Sequence, residues 1–557
     1  MVLVVTHSIA NDPPSSQPSA AQLTSLSSIA WRFWSLRTKA ETNWTSDGLS
    51  WVKTVRVHGA CLAGTNAELV TVEARFVEFS EGKTEILLSG LPDAVIRESK
   101  GRLQCALSEN RLHLPPGRLY LNLVPAGRKK AGELLDLPLA IGAAAASGHL
   151  DPKSLRNVLL VGELGIDGNL HGGPGGLAAA ALARDLRMGR LIAPVAAAEQ
   201  AAFVPGVQVF GCRTLGEVAG LLAGADRPAA LPPGDARALP APSPARLAAI
   251  RGQAVGLEAL CVAATGGHAL LFVGPPGTGK SLLARAMIDL LPELSLLERI
   301  DLTRVENATG KWSPGLASKR PFRAPHHTTT YAGLVGGGSP PRPGEITLAH
   351  LGVLFLDELP EFRREVLECL RQPLEEGKIS IARAGAQLEF PAGFQLVAAM
   401  NPCPCGYRGH PRVPCRCSDR EVWRYRSRLS GPFLDRIDLT VELGSPDLNA
   451  LTQQADSETP SAILERMSQI NRARQRALER CANTRTADLD SAQLDEVAPL
   501  SASIKRMLEK VSERQELSAR AIQSLRRIAR TLADLDDKQE LDEEHFYRAL
   551  SLRAPLV

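Results

Sequence analysis

One stretch limits what this chain can fold into more than any other: Gly274-Pro275-Pro276-Gly277-Thr278-Gly279-Lys280-Ser281. It follows the apolar run Ala269 to Val273 and leads into Leu282-Leu283-Ala284-Arg285-Ala286-Met287. The order matches G-x-x-x-x-G-K-[ST] between a strand and a helix, the setting in which that pattern binds phosphate. Gly277 and Gly279 let backbone N–H groups turn toward the β- and γ-phosphates, and the helix that follows adds its positive N-terminal end. Lys280 supplies a cation to the phosphate oxygens, and the Ser281 hydroxyl is a ligand for Mg²⁺. Residues Gly274 through Leu282 are therefore the expected nucleotide site, with ATP and Mg²⁺ as its occupants. The alternative is a glycine-rich turn that binds nothing.

A length of 557 residues suggests three to four domains, at roughly 150 residues each. The net charge of +4 is small for this size, so a nucleic-acid site must come from a local basic face. Ten cysteines are too few for a disulfide scaffold. Four of them crowd between positions 403 and 417, as in a metal site kept in a reducing compartment. No run approaches the 18 or so apolar residues of a membrane span, and the first residues lack a signal-peptide pattern. A cytoplasmic protein without a membrane partner is expected.

The chain divides by composition. Residues 1–50 are rich in Ser, Thr, Ala and Pro and read as a disordered extension or an upstream stretch from a misplaced start codon. Residues 51–224 alternate short strands, such as Glu68 to Phe76 and Glu85 to Ser89, with helical stretches at Leu134 to Ala146 and Leu177 to Leu186, an α+β pattern. Residues 225–245 hold six prolines and read as a semi-rigid linker. Residues 246–444 carry the phosphate loop and its module. Residues 445–557 show helical periodicity, as in Ile463 to Arg480 and Ser503 to Val511. The fold class is α/β multidomain: an N-terminal α+β domain, a central P-loop module and a C-terminal helical lid.

Within the module, Gly352 to Leu356 reads as a buried parallel strand ending in Asp357 and Glu358. Asp357 would hold the Mg²⁺ shell and Glu358 would polarise the attacking water. A further strand, Phe394 to Met400, ends in Asn401, an amide placed to position water near the γ-phosphate. Lys378 to Phe390 reads as a hairpin. His326 and His327, adjacent on an extended chain, would point apart, which favours a loop that packs or touches a polymer over a metal pair. Cys403, Cys405, Cys415 and Cys417 form two C-x-C pairs that can present four thiolates to a structural Zn²⁺; reduced cysteines stabilising a loop, or redox sensing, are the alternatives. Arg408, Arg412, Arg416, Arg420, Arg424, Arg426 and Arg428 surround Tyr407, Trp423 and Tyr425, a mix that suits a phosphate backbone with stacked bases or a solvated intersubunit surface.

The order of these motifs resembles the YifB/ComM family of magnesium-chelatase-like AAA+ ATPases. Gly90 to Leu107, Leu114-Pro115-Pro116 and Leu134 to Ala144 are similar to its Lon-protease-like N-terminal domain, without a Gly-Pro-Ser-Ala-Gly nucleophile stretch, so peptidase activity is not expected. Arg320 to His350 matches the family's insert before the acidic strand, and Ser430 to Leu439 and Ser518 to Asp536 match its finger and lid stretches. The resemblance implies that Asn401 takes the sensor-1 position, Arg436 is the arginine finger for a neighbouring subunit, and Arg520 takes the sensor-2 position, coupling γ-phosphate loss to lid rotation. A salt bridge from Arg436 to Asp435 or Asp438, and a surface charge at Arg520, are the structural alternatives. It further implies a homo-hexameric ring and a DNA helicase or branch-migration motor, acting on branched or single-stranded DNA in natural transformation or recombination. A magnesium-chelatase-type motor subunit acting on a metal or a protein partner is the runner-up, followed by an ATP-gated scaffold.

Overall fold

A computed structural model describes residues 54–554, apart from 127–129, 131, 226–228, 235–244, 313–314, 339–340, 384–385, 446–459, 483 and 516. The extension expected over 1–50, most of the proline-rich stretch and the start of the expected lid lie outside the described residues. Where the proline-rich stretch is described, it does not run free. Leu231 N–H donates to the Val209 carbonyl at 2.8 Å and Gly234 N–H to the Ala202 carbonyl at 3.0 Å, so this part is tied down along the first sheet.

That first sheet has seven strands: β1 (Val55–Ala63), β2 (Asn66–Glu78), β3 (Glu85–Ser89), β4 (Gly117–Val124), β5 (Val158–Leu160), β6 (Arg190–Pro194) and β7 (Gln208–Cys212), in the order β3-β4-β2-β1-β5-β6-β7. Residues of β2 and β4 alternate, with Val70, Val72, Ala74 and Phe76 buried beside Leu119, Leu121 and Leu123. One buried face is the period-2 signal that made β2 legible. Helices α1 (Ala94–Glu109), α2 (Asp136–Ala146) and α3 (Gly176–Asp185) cover the sheet. The helix expected from Leu134 starts at Asp136, behind a 3-10 turn over Glu133–Leu135.

The second sheet is wholly parallel. Its strands are β8 (Leu270–Val273), β9 (Phe322–Arg323), β10 (Val353–Leu356), β13 (Gln395–Met400) and β14 (Leu439–Glu442), in the order β9-β10-β13-β8-β14. Between them β11 (Lys378–Arg383) and β12 (Ala386–Pro391) form the expected antiparallel hairpin. Every residue of β8, β10 and β13 is buried, because helices cover both faces. On one face lie α4 (Ala254–Gly266) and α5 (Lys280–Leu290), with the lid helices α9 (Pro460–Arg480) and α10 (Ala519–Leu535) behind them in a single core. Helix α6 (Leu296–Ala308) reaches back to the first sheet. Ile300 packs with Leu177 and Leu191, and Asn307 Nδ2 donates to the buried Gln200 Oε1 at 3.0 Å. Two short helices, α7 (Arg371–Glu376) and α8 (Asp419–Arg426), carry groups of the site.

Gly352 precedes β10 where β9 comes closest, and a Cβ there would overlap the Pro321 carbonyl oxygen. Gly352→Ala is therefore expected to destabilise the second sheet by about 1–3 kcal/mol. Urea unfolding followed by far-UV circular dichroism checks this; an unchanged midpoint would refute it.

Candidate active site

The phosphate loop sits where the parallel sheet directs it, at the C-terminal end of β8. Gly274 N–H donates to the Met400 carbonyl at 3.2 Å, fastening the loop to the end of β13. Gly277 and Gly279 have φ of +80° and +85°, the left-handed turn that no side chain tolerates well. The Lys280 ammonium is 9% exposed and donates to three oxygens: Gly274 O at 2.6 Å, Pro275 O at 2.8 Å and Asn401 Oδ1 at 3.2 Å. Burial lowers its pKa, and the Asp357 charge opposes that shift. Pro276, Gly277, Ser281 and Leu282 face solvent, while Thr278 is buried and its hydroxyl donates to Pro275 O at 3.0 Å.

The two acids follow β10 directly. Ser281 Oγ donates to Asp357 Oδ2 at 2.9 Å, so the two hard oxygens expected around Mg²⁺ lie together. Glu358 has φ of +53°, a strained conformation for a residue with a side chain, and its carboxylate is half exposed. His327 Nδ1 stands 3.0 Å from Glu358 Oε2. The two histidines do not point apart as an extended chain would require. Their rings lie 4.1 Å apart at 35°, because the chain turns there and Thr329 N–H donates to the His326 carbonyl at 2.9 Å.

Arg436 and Arg520 lie at the other edge of the sheet. Strands β8 and β14 run parallel with Leu270 opposite Leu439, and Arg436 precedes β14. The four residues of β8 separate that edge from the phosphate loop, a span of about 13 Å. Arg436 pairs with neither Asp435 nor Asp438. Its Nη2 meets Glu375 Oε1 at 2.6 Å, and Arg520 Nη2 meets the same oxygen at 3.1 Å. Burial would raise the Glu375 pKa, but the two guanidiniums outweigh it and hold the carboxyl below its usual range. Helix α10 is anchored at this edge too, with Ser524 Oγ donating to Asp438 Oδ1 at 2.6 Å and Thr531 Oγ1 2.8 Å from His268 Nε2. Arg520 therefore accompanies Arg436 and not its own phosphate loop.

The four cysteines converge. All four Sγ atoms lie within 4.8 Å of one another, with Cys403 to Cys405 at 3.4 Å and both of these to Cys415 at 3.6 Å. A tetrahedron of thiolates around Zn²⁺ has edges of about 3.8 Å, so the donor set fits that ion. In the same stretch of chain Trp423 is 72% exposed, and Arg412, Arg416, Arg420 and Arg424 are exposed too. Tyr425 is not available for stacking. It is 6% exposed and packs with Phe433 in the core, because two residues of one helix point to opposite sides. Arg408, Arg426 and Arg428 are also engaged, with Asp419, the Pro402 carbonyl and Glu361.

Known proteins bear on this arrangement. Family models described as subunit ChlI of magnesium chelatase match residues 76–197 and 246–451, and the model of the ChlI C-terminal part matches 459–553. Competence protein ComM of Haemophilus influenzae is 39% identical over 508 residues, spanning 89% of this chain and 97% of that protein. The chain belongs to the magnesium-chelatase-like ComM/YifB family. Uncharacterized protein YifB of Escherichia coli is 38% identical over 510 residues. Lon protease 2 of Bacillus subtilis is 28% identical over 181 residues, in keeping with a Lon-like part of a ComM/YifB chain. Members of this AAA+ family are ATPases, and the loop, the acids and Asn401 stand together as such an enzyme needs. No helix among the described residues is long and apolar enough to cross a membrane.

Reading the sequence did not find Gln253, His327 or Glu375 as parts of the site. Gln253 Nε2 bridges Thr278 O at 3.0 Å and Gly444 O at 2.9 Å, bracing the loop from the start of α4. Gln253 and Glu375 lie in no recognisable pattern, and His327, although within the matched insert, stood out only as half of the His326-His327 pair, for a different chemistry.

Proposed function

We propose that the protein is a hexameric ring ATPase that hydrolyses ATP at sites shared between neighbouring copies and uses the turnover to drive branch migration or unwinding of DNA. The observation that carries the shared site is the placement of Arg436 and Arg520 on one carboxylate, at the sheet edge opposite the phosphate loop. Both guanidiniums are out of reach of their own γ-phosphate and suit the phosphate held by an adjoining copy.

In this reading residues Gly274 to Leu282 wrap the triphosphate, and Lys280 exchanges its loop carbonyls for phosphate oxygens. Ser281 and Asp357 would hold Mg²⁺, which would supply positive charge to the triphosphate. Glu358 takes the proton of the attacking water, oriented by His327 on one side, while Asn401 fixes that water from the end of β13. Arg436 and Arg520 of the neighbour stabilise the charge that develops on the transferred phosphoryl. The ring works in the cytoplasm, and Zn²⁺ at the four cysteines is structural.

DNA as the track rests on the exposed Trp423 and the exposed Arg412, Arg416, Arg420 and Arg424 of the same stretch, which offer a stacking surface and cations. It also rests on the likeness to the Haemophilus competence protein ComM, which favours natural transformation as the setting. Replacing Trp423 by Ala, with Arg420 and Arg424 by Gln, is expected to weaken single-stranded and branched DNA binding about 10–100-fold and to lower the salt slope by about two. Fluorescence anisotropy across a salt series checks this, alongside ATP turnover with branched DNA. Unchanged DNA affinity would remove this surface, and turnover indifferent to every DNA would remove the track. A second reading is a motor subunit of magnesium-chelatase type, favoured by 26% identity over 161 residues to the ChlI subunit of Nephroselmis olivacea. Turnover that rises with a porphyrin and not with DNA would select it.

A further inference from the structure

The four-cysteine knuckle lies against the nucleotide site. Cys403 is two residues past Asn401 and fully buried. Between them the Pro402 carbonyl accepts from both Arg426 Nε at 3.3 Å and Arg426 Nη2 at 3.1 Å, so α8 grips the exit of β13. The turn at Gly406, with φ of +85°, then presses onto the phosphate loop. A Cβ at Gly406 would lie 2.9 Å from Pro276 Cδ and 3.9 Å from Asn401 Cγ. The second cysteine pair leads into α8 through Ser418, whose hydroxyl and Glu421 form a capping box. Joining the two pairs therefore fastens the exit of β13, which bears Asn401, to the entry of the helix that holds Pro402.

We propose that the knuckle is a working part of the nucleotide site: with metal on its four thiolates it fixes Asn401 and braces Pro276, so that nucleotide affinity depends on the metal. This rests on the reading of Gly274 to Leu282 as the nucleotide site. Without metal only the exposed Arg408–Asp419 ion pair, which water screens, ties the loop between the two pairs to α8; the chain from Cys405 to Cys415 regains loop freedom, and the wall formed by Gly406 leaves Pro276. Asn401 then loses its fixed placement beside Lys280, where the amide oxygen stands 3.2 Å from the ammonium.

The test measures two quantities on the full chain: zinc per chain by atomic emission, and affinity for a fluorescent ADP analogue with Mg²⁺. The double variant C415S/C417S is expected to lose zinc and to bind the analogue about tenfold more weakly or worse. Gly406→Ala keeps all four thiols; it is expected to retain one zinc per chain while losing affinity by about the same factor. That second variant separates the brace from a general loss of folding, which circular dichroism monitors. The proposal is overturned if zinc is lost with affinity unchanged, if Gly406→Ala binds like the parent, or if parent protein holds no zinc and gains no affinity when Zn²⁺ is added. Failure of the parent itself to bind the analogue would sink the nucleotide-site reading instead.

Discussion

Glu358→Gln is expected to bind ATP as tightly as the parent and to hydrolyse it about 10²–10⁴-fold more slowly. The substitution keeps the size of the side chain and removes the group that accepts a proton from water. Binding should survive because, in the proposed site, the phosphate contacts fall to Lys280 and the loop amides and the Mg²⁺ oxygens to Ser281 and Asp357, which already stand together. The carboxylate of Glu358 is half exposed and touches His327, so its loss leaves no buried charge unpaired and no cavity. Its backbone stays in the same left-handed conformation, which Gln tolerates as poorly as Glu. Phosphate release at saturating ATP, set beside analogue affinity, separates the two effects. A variant that turns over within a few-fold of the parent would take Glu358 out of the reaction.

Arg436→Ala carries the other large effect, a loss of about 10³–10⁵-fold in turnover. Folding is not the cause of that loss. Removing the guanidinium leaves Glu375 paired with Arg520 at 3.1 Å, so no carboxylate is stranded, and Glu375 itself is 45% exposed, so water screens the charge that remains. The affinity of an isolated chain for ATP should not change, since the loop lies at the far end of β8 from this residue. Turnover at parental level in a variant that assembles normally would make Arg436 a structural residue.

The parts of this site that the sequence displays are those whose signal is local. Leu270 to Val273 and Val353 to Leu356 are unbroken apolar strands ending in a glycine loop and in two acids, and a parallel sheet places such ends side by side. Helix α9 was legible for a similar reason, a period carried over consecutive residues, whereas α10 was read from its resemblance to the family's lid stretch. Glu375 was not, because it meets Arg436 and Arg520 only in three dimensions, 61 and 145 residues away. The pairing of Arg436 followed suit: Asp435 and Asp438 are near in sequence, yet the chain turns its guanidinium toward α7. Trp423 and Tyr425 looked alike as aromatic neighbours of arginines, and only the helical phase of α8 puts one in solvent and the other in the core. The turn at His326 depended on a single backbone hydrogen bond, for which the residues gave no period to read.

Shared active sites are the central claim, and mixing the two inactive variants tests it most directly. An assembly containing both Glu358→Gln and Arg436→Ala chains has some interfaces where an intact Glu358 faces an intact Arg436, so ATP turnover should return, peaking near equal proportions. Turnover that stays at the level of the separate variants at every ratio, in assemblies shown to contain both chains, would contradict the account and place the completed site within a single copy.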